Sequence, residues 1–246
     1  MTTWYRPVAL NPSAKIRLFV FHHAGGSANA YFRWAQSAPN DWEAILYEMP
    51  GRGMRMDDPV IDNFSQMLDV LSSETPKWLD RPTIFFGHSL GALVAYELAR
   101  KLIQDGLGDQ LRGLGLSSML PPTQENLNKR EFISQQPEAE FIKSISAYSP
   151  MPEQILRDPK FLAFFLPIVR NDIRLMESYS TNHQEKVNLP LLVFAGAQDP
   201  TSTPQQLADW NEFGNVIDEV QTLPGGHFHL FAHAEKILAS LRTHLA

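Results

Sequence analysis

The stretch Thr83-Ile84-Phe85-Phe86-Gly87-His88-Ser89-Leu90-Gly91-Ala92 joins an apolar run to a helical one through a serine between two glycines. Thr83 to Gly87 reads as a buried strand, and Ala92 to Leu102 continues as a helix. A serine between the two, flanked by Gly87 and Gly91, belongs to a sharp strand-to-helix turn with strained backbone angles, where small neighbours let strand and helix pass close together. Such a turn projects the Ser89 hydroxyl into open space. It also aims the Leu90 N–H at a developing oxyanion and adds the positive end of the helix dipole. Ser89 is therefore a candidate nucleophile, weighed against a plain turn serine.

On either side of this stretch, short apolar runs recur at Ile16 to His22, Ala44 to Met49, Leu111 to Ser117, Leu189 to Gly196 and Ile217 to Leu223. Each reads as a buried strand. Between them lie helical spacings such as Phe64, Met67, Leu68 and Leu71, and Ala234, Ile237, Leu238 and Leu241. Strand and helix alternate, which predicts an α/β protein with a mostly parallel central sheet flanked by helices and an active site at the carboxyl ends of the strands. The alternation fails over about 119–186, which opens with Pro121-Pro122 and carries the dense block Phe161, Leu162, Phe164, Phe165, Leu166, Ile168 and Val169. Phe161, Phe164, Phe165 and Ile168 form a stripe that Leu162 and Leu166 widen, so this helix wants apolar contact on more than one side. A helical lid over the serine is expected there, with an added packing layer as the alternative.

With 246 residues, one domain spanning 1–246 with a large core is favoured over two small ones. There is no cysteine, which excludes disulfides, thiolate metal sites and a cysteine nucleophile. The first ten residues lack the pattern of a secretory leader, and no apolar run approaches the roughly 18 residues of a membrane span, so a cytoplasmic protein without membrane association is expected. A net charge of −6 without a basic run argues against nucleic acid as partner.

A serine nucleophile needs a base and an orienting acid, in the chain order Ser, Asp or Glu, His for this type of turn. Asp199 follows the strand Leu189 to Gly196 across Ala197-Gln198, at the same rim as Ser89, and is the candidate acid; a turn or capping role before Pro200 is the alternative. Asp172, Asp209 and Asp218 fall in apparent helices, in the insertion or at a strand start. Of eight histidines, His22 and His23 precede the turn, His88 lies inside it, His183 lies in the insertion and His244 lies near the end. His227, after Pro224-Gly225-Gly226 and before the last helix, is the candidate base, with His229 second. The spacing of His227, His229 and His233 also resembles a metal site, but no acidic or thiolate residue accompanies it. The loop His23-Ala24-Gly25-Gly26-Ser27 follows an early strand, which makes the Ala24 N–H a second oxyanion donor beside Leu90, or else a flexible glycine turn. It is not a phosphate-cradling glycine loop.

Phe21-His22-His23-Ala24-Gly25-Gly26-Ser27, Met49-Pro50-Gly51-Arg52-Gly53, Gly87-His88-Ser89-Leu90-Gly91-Ala92, Arg170-Asn171-Asp172 with Glu177-Ser178-Tyr179, and Gly225-Gly226-His227-Phe228 together resemble the type II thioesterases. These are discrete proteins of α/β-hydrolase fold that work beside polyketide synthases and non-ribosomal peptide synthetases. The resemblance covers essentially the whole chain, with His22 where a proline is common and His229 where an aromatic is usual. It implies a stand-alone enzyme acting in trans, without cofactor or metal, on acyl or aminoacyl thioesters carried by the phosphopantetheine arm of an acyl or peptidyl carrier protein. A carboxylesterase or lipase shares the same triad and is the nearest alternative; a non-catalytic binding protein of this fold is more remote. An acidic carrier would need a basic or apolar patch at the site mouth, for which Arg52, Arg55, Lys160, Arg170 and Arg174 are candidates. Solvated surface charge, or for Arg52 a role within its own loop, is the alternative.

Overall fold

All residues of Ile16–Phe21, Trp42–Tyr47 and Thr83–His88 are buried, because helices cover both faces of the strands they form. The computed structural model describes residues 4–148, 153–181 and 185–246. Its strands are β1 (Tyr5–Pro7), β2 (Ile16–Phe21), β3 (Trp42–Tyr47), β4 (Thr83–His88), β5 (Leu111–Ser117), β6 (Pro190–Gly196), β7 (Asn215–Val216) and β8 (Gln221–Leu223). They form one sheet in the order β1-β3-β2-β4-β5-β6-β7, with β8 also paired to β6. Every pairing is parallel except β1 with β3. The helices are α1 (Ala28–Gln36), α2 (Phe64–Glu74), α3 (Leu90–Gln104), α4 (Gln124–Asn128), α5 (Glu138–Ser146), α6 (Glu153–Leu156), α7 (Pro159–Glu177), α8 (Pro204–Leu207) and α9 (Ala234–Leu245).

Alternate strand residues feed two cores. Phe19, Phe21 and Phe85 pack with α2 and α3 on one face, through Met67, Leu71, Leu93 and Leu98. Leu18, Val20, Ile84 and Phe86 pack on the other with α1 and α9, through Tyr31, Trp34, Ile237 and Leu241. The carboxyl ends of β2 and β4 lie side by side, with Phe21 opposite Gly87. Loops leaving these strands therefore start as neighbours.

Three expectations change. Tyr5–Pro7 is a strand that the sequence reading lacks; it is short, lies at the sheet edge and ends in proline, which an edge tolerates. The run Ile217 to Leu223 is not one strand: Asp218 has a φ of 61° and breaks it, so β7 and β8 meet different parts of β6. The apolar block of α7 buries Leu166, Val169 and Ile173 against Ile133 and Phe141, whereas Phe164 is 51% exposed. The buried face lies toward the carboxyl half of the helix because that half packs on the body of the protein.

Between β5 and β6 the described residues form helices α4 to α7 and no strand. Asp158 caps α7 by accepting from the Lys160 and Phe161 N–H groups, with Pro159 at the first helical position. Among the described residues no helix is long and apolar enough to cross a membrane.

Candidate active site

Ser89 joins β4 to α3 with φ 53° and ψ −126°, a conformation that costs a non-glycine residue about 1–3 kcal/mol. Its neighbours explain how it persists. A Cβ on Gly87 would lie 2.1 Å from the Gly91 carbonyl oxygen, and a Cβ on Gly91 would lie 2.1 Å from the Phe21 carbonyl oxygen. Only glycine permits these approaches, which jam the first turn of α3 against the ends of β2 and β4. The Ser89 N–H donates to the Ser117 carbonyl at 2.8 Å, fixing the turn to β5.

Asp199 and His227 come from loops at the carboxyl ends of β6 and β8, and backbone bonds tie these loops together. Ala197 N–H donates to the Leu223 carbonyl at 2.8 Å, and Gln198 N–H to the Gly225 carbonyl at 2.9 Å. His227 Nδ1 lies 2.9 Å from Asp199 Oδ2, both side chains being buried. Asp199 also accepts from the Thr201 N–H at 2.9 Å, the Thr201 hydroxyl at 2.7 Å and the Ser202 hydroxyl at 3.0 Å. Burial pushes the Asp199 carboxyl up, but His227 and Thr201 outweigh it and hold the group well below the usual carboxylate range. An ionised carboxylate only accepts, so His227 donates to it through Nδ1–H, which leaves Nε2 as the nitrogen that Asp199 does not engage.

A cavity of about 890 Å³ has Ser89, His227 and Thr201 in its wall, together with Leu93, Ile133, Ile173 and Met176. The Tyr148 ring, also in the wall, stands edge-on to the His227 imidazole with centroids 5.2 Å apart. Ala24 and Leu90 do not line this cavity; they lie at the shared end of β2 and β4. Among the described residues, neither N–H has an acceptor.

The other histidines face elsewhere. His229 Nδ1–H donates to the Gly226 carbonyl at 3.3 Å, and its Nε2 lies 3.4 Å from the Ser117 hydroxyl. His233 Nε2 bonds the Pro224 carbonyl at 2.9 Å. The three rings of the metal-like spacing thus turn to three different partners. His88 is buried with Nδ1 3.0 Å from the Ser117 hydroxyl, and His23 Nδ1 is 2.8 Å from the Tyr31 hydroxyl. His244 bonds Ser240 and Asp218, while His183 lies outside the described residues. Of the aspartates set aside, Asp172 is buried in an ion pair with Arg52, and Asp209 reaches the cavity wall from a 3₁₀ turn after α8.

A fold with this turn admits many hydrolases, and the whole-chain comparison decides among them: the thioesterase domain family model matches residues 16–245. The chain belongs to this thioesterase family. It is 30% identical over 243 residues to thioesterase PikA5 of Streptomyces venezuelae, covering 98% of this chain and 85% of that protein. It is also 30% identical over 228 residues to gramicidin S biosynthesis protein GrsT of Aneurinibacillus migulanus, covering 93% and 88%. Among solved structures, the type II thioesterase BorB of the borrelidin biosynthetic cluster matches with a TM-score of 0.86 at 27% identity, over 99% of this chain and 98% of that one. The resemblance to type II thioesterases and the α/β-hydrolase fold therefore hold along the whole chain.

Several side chains of the thioesterase differ from expectation. Arg52 is buried against Asp172, and Arg55 is buried, stacked 3.9 Å over the Trp4 ring and bonded to Asp58 at 2.8 Å. Arg170 donates to the Ser134 and Gln136 carbonyls and stacks 4.1 Å over Phe141. These three cations hold the protein together internally, which corrects the view of them as surface docking charges. Lys160 is exposed, and Arg174 keeps half its side chain in solvent, 3.8 Å from Asp62. Sequence reasoning missed Thr201, Ser202 and Tyr148. The hydroxyls just after Asp199 carry a local signal, the tendency of an aspartate to gather donors two and three residues on. Tyr148 carries none, because its contact with His227 depends on the path of α5.

Proposed function

We propose that this thioesterase hydrolyses acyl or aminoacyl groups from the phosphopantetheine arm of carrier proteins in the cytoplasm, clearing stalled or wrong acyl groups and restoring the free thiol. The observation that carries the reading is a strained serine at a strand-to-helix turn sharing one cavity with an imidazole whose other nitrogen is bonded to an ionised aspartate. The similarity to a gramicidin S biosynthesis protein and to the type II thioesterase of the borrelidin biosynthetic cluster supports the choice of substrate. The helices of 119–186 act as a lid in a single domain, and walls from α4, α5 and α7 receive the acyl group.

In the proposed reaction Ser89 Oγ attacks the thioester carbonyl carbon and passes its proton to His227 Nε2. The carbonyl π pair moves to oxygen, where the Ala24 and Leu90 N–H groups and the start of α3 stabilise it. Asp199 keeps the imidazole in the right tautomer and steadies its positive charge. The carbon–sulfur bond then breaks and the thiol departs with the proton from His227. Water, giving a proton to the same nitrogen, attacks the acyl-Ser89 ester; the bond from the acyl carbon to Ser89 Oγ then breaks, His227 returns that proton to Oγ, and the acid departs. A thiol leaves readily, so the second half of the cycle is expected to limit turnover.

Intact-protein mass spectrometry on a panel of acylated carrier proteins tests the substrate. Loss of the acyl mass with return of the free-thiol carrier, at a kcat/KM at least about tenfold above that for simple p-nitrophenyl esters, is expected. Faster turnover of the esters than of every carrier substrate would assign the chain to the carboxylesterases instead.

A further inference from the structure

Asp172 of α7 is completely buried and gathers three separate segments on one carboxylate. The Gly25 N–H donates to Oδ2 at 2.7 Å. Arg52 Nη1 donates to the same oxygen and Nη2 donates to Oδ1, each at 2.6 Å, while Nη1 also donates to the Gly26 carbonyl at 3.1 Å. The loop after β2, the Pro-Gly-Arg-Gly loop after β3 and the insertion helix therefore meet here.

The geometry of the peptide unit turns this contact into a constraint on Ala24. In a trans peptide the C=O and the following N–H point in opposite directions, so holding one aims the other. The His23 carbonyl accepts from His22 Nδ1–H at 2.8 Å and from the Gly26 N–H at 2.9 Å, which fixes the plane carrying the Ala24 N–H. The next plane carries the Gly25 N–H, and Asp172 fixes it. With both flanking planes pinned, φ and ψ of Ala24 are tightly restrained, and its own N–H has no acceptor among the described residues. Other bonds make α7 a stiff support. Asn171 Nδ2 donates to the Ile61 carbonyl at 2.9 Å, and the Ser178 hydroxyl accepts from the Phe64 N–H at 2.9 Å. The Tyr179 hydroxyl donates to Glu97 at 2.6 Å.

We propose that Asp172, clamped by Arg52, is a positioning residue for hydrolysis that holds the Ala24 peptide in the orientation needed to receive the oxyanion. This rests on the reading of Ala24 as an oxyanion donor. It means that the insertion contributes to the reaction through its helix α7 as well as covering the site.

The test compares wild type, Asp172→Asn and the double variant Arg52→Met with Asp172→Leu, using a soluble acyl-N-acetylcysteamine thioester and the matching acyl trifluoromethyl ketone. The ketone adds Ser89 Oγ to its carbonyl carbon, sends the proton to His227 and leaves an oxyanion, so its affinity reports the oxyanion site. The double variant removes both buried charges together, so neither is left unpaired and folding survives. In folded protein, kcat is expected to fall roughly 30- to 300-fold in each variant with KM changed less than about threefold, and ketone affinity to weaken by a similar factor. A purely structural role would lower thermal stability while leaving ketone affinity and kcat per folded molecule unchanged, and that result overturns the proposal. Ser89→Ala, measured alongside, separates the two claims. If it is inactive while the Asp172 variants match wild type, only the positioning role fails; if it stays active, the serine mechanism itself fails.

Discussion

The Thr201 hydroxyl oxygen lies 3.1 Å from His227 Nδ1 while donating its hydrogen to Asp199 Oδ1 at 2.7 Å. One hydroxyl thus touches both partners of the imidazole–carboxylate pair and braces their mutual orientation. The bond to a charged acceptor is worth about 1.5–3 kcal/mol, so its loss should be felt in the rate.

Thr201→Val keeps the shape and removes the hydroxyl. We expect kcat to fall about 3- to 10-fold with KM unchanged, and Thr201→Ser to recover most of the loss. Steady-state kinetics on a soluble thioester would show it; a Val variant with wild-type kcat would remove Thr201 from the site.

His227 and His229 separate by partner. His227 bonds Asp199, whereas His229 is engaged with Gly226 and Ser117. His227→Ala should be as inactive as a serine variant, and His229→Ala should cost less than about tenfold, through packing alone. The opposite ranking in two folded variants would transfer the base to His229.

Acid should weaken the fold before it reaches the range where carboxylates titrate. Burial, then the Arg52 charge, pushes His22 down to about 3; burial, then neighbouring imidazoles, pushes His23 to about 3; and burial drives His88 well below its ordinary value. These folded-state values lie below the unfolded value near 6.5, so between about pH 6.5 and 3 the unfolded chain binds more protons. Stability is therefore fully present above about pH 6.5 and is lost as pH falls, by up to about 1.4 kcal/mol per pH unit for each group. Urea unfolding from pH 8 to 5 should show a plateau and then a decline, with a shallower decline in His22→Gln. A stability that holds or rises on going to pH 5 would contradict this.

Charge reversal separates internal cations from those free to meet a carrier. Arg55→Glu puts an acid over Trp4 beside Asp58 and should cost about 2–4 kcal/mol of stability. Lys160→Glu and Arg174→Glu should leave stability within about 0.5 kcal/mol, raise KM for acylated carriers about 3- to 10-fold and spare a small thioester. If neither exposed reversal changes carrier kinetics at low salt, docking rests on apolar contacts.

How much of this was legible in the sequence depended on locality. β2, β4, β5 and β6 agree with their apolar runs to within a residue, because strands buried on both faces leave continuous hydrophobic signatures. β1 left none, being three residues long with a proline at its end. The break between β7 and β8 turns on one residue, Asp218, whose type tolerates left-handed backbone without demanding it. Ser89 and Asp199 each sit just past a strand end, which predicted a common rim, and the chain order with the turn before the last helix pointed to His227; the structure brings Asp199 and His227 into contact. The Arg52–Asp172 clamp joins residues 120 apart and has no local pattern. For the same reason Arg55 reads as a docking or solvated charge, and Arg52 as either that or a support of its own loop, since sequence reveals a charge but not its burial.

In the proposed reaction Ser89 carries the acyl group between carrier and water. The direct measurement is rapid-quench intact mass spectrometry of an acylated carrier mixed with the wild-type protein and with folded Ser89→Ala. Wild type should show a transient gain of the acyl mass, mapped by peptide digestion to Ser89, as the carrier loses it. Ser89→Ala should show no adduct and a hydrolysis rate lower by about 10³-fold or more. An adduct on another residue, or more than about a tenth of wild-type hydrolysis in Ser89→Ala, would rule out Ser89 as the nucleophile.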